Sequence, residues 1–106
     1  MTRESHKVRR FAVQLPCQFW NNEDKVDGTV LNLSAQGCAM TAAQPPSVST
    51  YGSLDIDLLN GEGPAKIELA GVRWVSKHRC GLEFIRVHPD MLMKLRAFAL
   101  LLEQAS

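Results

Sequence analysis

Residues 28–40 read GTVLNLSAQGCAM, and the organisation of the chain follows from how this stretch divides. Its first half alternates as a strand does and runs to Asn32 and Leu33. Ser34 to Gly37 then breaks the pattern, and Cys38 to Thr41 resumes it as a short strand. Alternation puts the Asn32 carboxamide and the Ser34 hydroxyl on one face, away from the face carrying Leu33. Gly37 permits a positive φ or a close backbone approach by a ligand. An amide, a hydroxyl and an unencumbered backbone are what a base edge or a phosphate oxygen needs. The same three residue types also build ordinary turns, so the residues alone leave both readings open.

Working outward, Phe11, Val13, Leu15, Cys17 and Phe19 alternate with polar Gln14 and Gln18, the signature of a half-buried strand. NNED at 21–24 is a turn signal, and Val26 to Leu33 forms the next strand. Its inward residues are Val26 and Val30, with Leu31 and Leu33 as further candidates. The two prolines of AAQPPSVSTYG, residues 42–52, predict a loop. Leu54 to Leu58 forms a fourth strand with Asp55 and Asp57 on its polar face, and NGEGP closes it with hairpin chemistry. Lys66 to Val75 is the fifth strand, with Gly71 a bulge or bend, and Cys80 to Val87 is the sixth. The expected fold is therefore mainly β, a small six-stranded antiparallel barrel.

The end of the chain differs. His88 and Pro89 break the last strand, and residues 90–104 predict a C-terminal α-helix opened by Asp90. Met91, Leu95, Phe98 and Leu102 make a stripe suited to packing over a barrel end. Leu92, Met93, Leu100 and Leu101 widen the apolar surface beyond it. Either this helix simply plugs the barrel, or its excess face meets a protein partner, including a second copy in a homodimer.

The 106 residues suit one domain over 10–106, preceded by a flexible basic arm over 1–9. With 45% apolar and 22% charged residues the composition is that of a globular protein. No apolar run is long enough for a membrane span, and the polar, basic start lacks the apolar core of a secretory signal. A soluble cytoplasmic protein is expected. Cys17, Cys38 and Cys80 are widely spaced and odd in number, which argues against disulfides and a zinc knuckle and for small buried hydrophobes. No His pair has metal-ligand spacing, and no cofactor is expected. Net charge is only +1, but Arg3, Lys7, Arg9 and Arg10 with His6 concentrate positive charge in the first ten residues. Near-zero net charge without interleaved basic and aromatic residues argues against nucleic acid. No nucleophile–base motif, HExxH or phosphate-cradling GxxxxGK occurs, so no enzyme is expected. Asp55 and Asp57 read as the solvent side of a strand, and Trp20 and Trp74 as packing residues or stacking platforms.

NLSAQG, residues 32–37, matches the [D/N]xSxxG signature of PilZ domains at every defined position. The flanks agree: RFAVQLP (10–16) resembles the family's first strand, and VRWV (72–75) with GLEF (81–84) resembles its later strands. The chain thus resembles a PilZ domain over most of residues 6–87. That resemblance implies a six-stranded antiparallel PilZ-type barrel that binds the second messenger cyclic di-GMP on its outside and signals to a protein partner in motility or surface-polysaccharide control.

Family members that bind the nucleotide generally carry RxxxR before the first strand. With Arg10 in the second position, His6 occupies the first, and Arg9 is an additional basic neighbour. Arginine offers a permanent planar fork, whereas neutral histidine offers one donor and an aromatic face. The resemblance implies that Arg10 contacts phosphate and guanine, with Arg9 or His6 as the second basic or stacking contact. Asn32 and Ser34 would hydrogen-bond a guanine edge or phosphate, and Gly37 would admit the ligand to the backbone. The arm then orders as it closes over the nucleotide. The alternative is a PilZ adaptor that has lost nucleotide binding and docks a protein through its C-terminal helix.

Overall fold

The computed structural model describes residues 9–105. Six strands, β1 (Phe11–Asn21), β2 (Asp24–Leu33), β3 (Gly37–Thr41), β4 (Tyr51–Asp57), β5 (Pro64–Ser76) and β6 (Arg79–Arg86), precede one helix, α1 (Pro89–Ala105). The strands close a barrel in the order β1-β2-β3-β6-β5-β4. Every neighbouring pair is antiparallel. Closure leaves no edge strand to pair with other chains. The inward side chains of all six strands form one core, with Phe19, Val30, Met40, Leu54, Ile56, Ile67 and Val72 essentially without solvent contact.

Element boundaries shift where local chemistry is tighter than the sequence pattern. β1 and β2 join through Asn22 and Glu23 alone, Asn22 taking a left-handed φ of 57° that asparagine tolerates. Tyr51 and Gly52, read above as loop, pair with Gly71 and Ala70 and so begin β4. Pro64 opens β5 opposite Asp57, at the first strand position, where the missing N–H costs no ladder bond. Gly71 is not itself the bulge. The register of β5 against β6 slips on either side of it, between Leu69 and Ala70 and between Val72 and Trp74.

Helix α1 packs on β5 and sends Leu95 into the barrel core. Leu95 is its anchor, only 2% exposed, with Phe98 packed beside it and Met91 and Leu102 half-buried. The expected stripe therefore covers the barrel. Lys94 Nζ ties the helix to the β4–β5 connection through the Glu62 carbonyl at 3.0 Å. His88, rather than Asp90, satisfies the first turn. Its carbonyl accepts from the Leu92 amide at 2.9 Å and its Nδ1 accepts from the Asp90 amide at 3.1 Å. Met93, Leu100 and Leu101 face solvent at 68%, 54% and 59% exposure.

Burial of the three cysteines follows the sequence expectation: each is a free thiol inside the barrel. Desolvation pushes the Cys17 thiol up to about 12 and Cys80 up to about 11, and raises Cys38 as well. No described helix is long and apolar enough to cross a membrane.

Candidate functional site

Two bulges shape the outside of the barrel. In β2, Val30 pairs with Met40 and Asn32 with Ala39, so Leu31 is the extra residue. That extra residue changes the parity of the strand: Val30 and Leu33 both point inward, and Asn32 turns outward. In β5, Val72 pairs with Leu82 and Trp74 with Gly81, so Arg73 is the extra residue. Val72 stays buried while Arg73 and Trp74 are both delivered to the surface.

Between the bulges the outward positions of β3 and β6 are mostly small. One cross-strand row runs Asn32–Ala39–Gly81–Trp74, and the next runs Gly37–Glu83–Gly71–Tyr51. Low side chains in the middle and long ones at the sides leave an open groove of about 730 Å³. Arg10, Asn32 and Gln36 line one side, and Arg73, Trp74 and Glu83 the other. Gly81 is required by packing: a Cβ there would fall inside the indole of Trp74, which lies over it.

The structure brings Arg10 and Asn32 together on one rim of the groove. Arg10 Nη1 donates to Asn32 Oδ1 at 2.8 Å, and the same oxygen accepts from the Ala39 amide at 3.2 Å. Asn32 thereby fastens the β2 bulge to β3 and aims the Arg10 guanidinium at the groove. That guanidinium forms five N–H bonds at most, so most of its donors remain for a ligand.

Ser34 departs from the expectation that its hydroxyl shares the exposed face of Asn32. It is 4% exposed, and its Oγ accepts from the Gln36 and Gly37 amides, each at 3.1 Å, while donating to the Gly37 carbonyl at 3.3 Å. One donor and two lone pairs are thus all used inside the turn. The strand has ended at Leu33, so alternation no longer governs where Ser34 points. Gly37 likewise serves the barrel. A Cβ there would sit 2.5 Å from the Leu82 carbonyl oxygen, so the glycine admits the neighbouring β6 backbone. Arg10 Nη2 lies close above it, 3.6 Å from the same point.

Arg9 is directed elsewhere: its Nη1 pairs with Glu103 Oε2 of α1 at 2.6 Å, and its guanidinium lies over the Phe11 ring at 5.1 Å. His6, with Arg3 and Lys7, lies outside the described residues.

Sequence reasoning missed Arg73, Glu83 and Tyr51 as a unit. Arg73 Nε donates to Glu83 Oε1 at 2.6 Å and its Nη1 to the Tyr51 hydroxyl at 3.1 Å, with the guanidinium 5.6 Å from the Tyr51 ring centre. The bond to Glu83, then that to Tyr51, pushes Arg73 further above its ordinary range. Each is a plain polar or aromatic strand residue in the sequence; only the register and the β5 bulge bring them together.

The family model for the PilZ domain matches residues 2–101. No curated protein matches the chain in sequence at a significant level. Among solved structures, the Bacillus subtilis inhibitor of motility MotI/DgrA superposes with a TM-score of 0.80 at 21% identity, covering 100% of this chain and 57% of that one. The YcgR protein of Escherichia coli, solved in complex with c-di-GMP, gives 0.77 at 16% identity, over 94% of this chain and 46% of its own. The PilZ domain of CeSA from a cellulose-synthesizing bacterium gives 0.70 at 19% identity, over 90% and 98%. The chain therefore spans about half the length of MotI and YcgR and nearly all of the isolated CeSA domain. With a family match over nearly its whole length, and a closed six-stranded barrel whose NxSxxG turn stands beside Arg10, this chain belongs to the PilZ domain family.

Proposed function

We propose that the chain is a cyclic di-GMP receptor domain, which binds the nucleotide in the groove over β3 and β6 and passes the signal to a protein partner. The observation that carries this is the Arg10–Asn32 contact at 2.8 Å on the rim of a groove large enough for a nucleotide. Arg10 presents a fork to phosphate or to the O6/N7 edge of guanine. Asn32 holds that fork and offers its amide N–H to the ligand. Ser34 acts through the turn it builds, and Gly37 lets Arg10 lie low over β3. Trp74, 45% exposed and flat above Gly81, is a stacking surface for a purine. Arg9 or His6 supplies the second basic or stacking contact, Arg9 by exchanging its ion pair with Glu103 for the ligand. The function is regulatory binding, not catalysis, and three free buried thiols suit a cytoplasmic setting.

The test is titration calorimetry with Arg10→Ala. Loss of one fork weakens binding by about ten- to a hundredfold while the thermal midpoint stays within a few degrees. Unchanged affinity would remove Arg10 from the site.

The exposed Met93, Leu100 and Leu101 favour a second reading for the helix. In it α1 offers this apolar strip to a protein, either a partner or a second copy of the chain. The molar mass from sedimentation in analytical ultracentrifugation separates the two: a doubled mass that Leu101→Glu abolishes marks the homodimer.

A further inference from the structure

We propose that Glu83 is the specificity-determining residue of the groove: its carboxylate, aimed by Arg73 and Tyr51, accepts the N–H donors on the Watson–Crick edge of a guanine and so selects guanine over adenine. This rests on the receptor function proposed above and names how that site tells one purine from another.

A carboxylate is an acceptor with two oxygens. Arg73 Nε engages Oε1 at 2.6 Å, and Oε2 has no hydrogen-bond partner among the described residues. Glu83 lines the groove and its side chain is 56% exposed, so the second oxygen is open to a ligand. Guanine carries N1–H and N2–H₂ side by side on its Watson–Crick edge, two donors that a single carboxylate receives. Adenine has an acceptor at N1 and a donor only at N6, so it meets the same carboxylate with a lone pair.

The placement fits a base stacked on Trp74. Trp74 lies over Gly81, and Glu83 is two residues along β6 on the same outward face, about 7 Å away. A purine over the indole spans that distance with its edge. The carboxylate is also prepared before the ligand arrives. Arg73 fixes one oxygen, the Tyr51 hydroxyl fixes Arg73 at 3.1 Å, and the Tyr51 ring braces the guanidinium. The positive charge of Arg73 offsets the negative charge of Glu83, so a carboxylate in this groove does not repel the phosphates that Arg10 attracts. A Glu83 that merely held Arg73 in place would act on every nucleotide alike, and that distinguishes the two roles.

The experiment compares the whole chain with Glu83→Gln by calorimetric titration of cyclic di-GMP and of cyclic di-AMP, which carries no guanine, each protein's fold being checked by thermal unfolding. The unaltered chain should prefer cyclic di-GMP by about ten- to a hundredfold. Glu83→Gln should lose about tenfold or more on cyclic di-GMP and little on cyclic di-AMP, so the preference collapses. Glu83→Asp, which withdraws the carboxylate by one methylene and keeps its charge, should reduce the same preference and serves should the Gln variant not fold. An unchanged preference in a folded variant, or equal weakening of both nucleotides, overturns the assignment of Glu83 alone. Failure of the unaltered chain to bind either nucleotide overturns the receptor function and this assignment with it.

Discussion

Gly37→Ala tests why the signature ends in glycine. If the glycine were there for ligand access or for an unusual φ, the unliganded barrel would tolerate a methyl group with little loss. The structure gives a different reason. The added Cβ would stand 2.5 Å from the Leu82 carbonyl oxygen, which belongs to the β3–β6 ladder. Ordinary contact between these atoms needs roughly a further 0.7–0.9 Å, and a backbone carbonyl held in a ladder cannot swing aside as a side chain can. Strands β3 and β6 must separate locally, straining the Ser34–Gly37 turn whose amide bonds end on Ser34 Oγ. Overpacking of this kind costs about 1–3 kcal/mol. With an m-value of about 1–3 kcal/mol/M for a small domain, a loss of ~2 kcal/mol lowers the urea midpoint by roughly 1 M. Urea unfolding of the unliganded chain, followed by tryptophan fluorescence, reads this directly. A midpoint unchanged within error would refute the packing argument and return Gly37 to a purely ligand-facing role.

Other outcomes follow from the same geometry. Leu95→Ala removes the one fully buried anchor of α1 and should cost about 2–5 kcal/mol, seen as a lowered midpoint in the same urea titration, whereas Met93→Ser on the solvent side should stay within about 0.5 kcal/mol. Arg9 is shared between Glu103 and any ligand above the groove, so Glu103→Gln should tighten cyclic di-GMP binding by up to about fivefold in calorimetry at low salt, and the gain should fade at high salt. The buried thiols set a pH limit. Their folded values lie above the ordinary 9.0, so the unfolded chain releases its protons first. Stability then falls as pH rises from about 9 toward the values of about 11 and 12 for Cys80 and Cys17, by about 1.4 kcal/mol per pH unit for each thiol. Urea midpoints at pH 8, 9 and 10 measure this, and Cys80→Ala should flatten the decline.

Much of the architecture was legible because alternation and turn chemistry are local. Phe11 to Phe19, Leu54 to Leu58 and Leu82 to Phe84 each announce a half-buried strand, and the Met91–Leu95–Phe98–Leu102 spacing announces the helix face that covers the barrel. The site was legible only in part. Arg10 and Asn32 are named by the signature and its flank, and they touch. Ser34 was misplaced because alternation was carried one residue past the end of the strand. Arg73 and Glu83 are ten residues apart in ordinary strands, and nothing local says that a bulge lifts one beside the other. A bulge changes which residues share a face, and its position depends on strands contributed from elsewhere in the chain. His88 escaped for a similar reason: its carbonyl and its Nδ1 meet the first turn of α1 only because of the direction in which the chain leaves β6.

Calorimetric titration of the purified chain with cyclic di-GMP, beside GTP and cyclic di-AMP, tests the central claim most directly. The account predicts selective binding of cyclic di-GMP at micromolar or tighter affinity. A folded chain that takes up no cyclic di-GMP, or takes up all three nucleotides alike, contradicts it and transfers the function to the exposed face of α1.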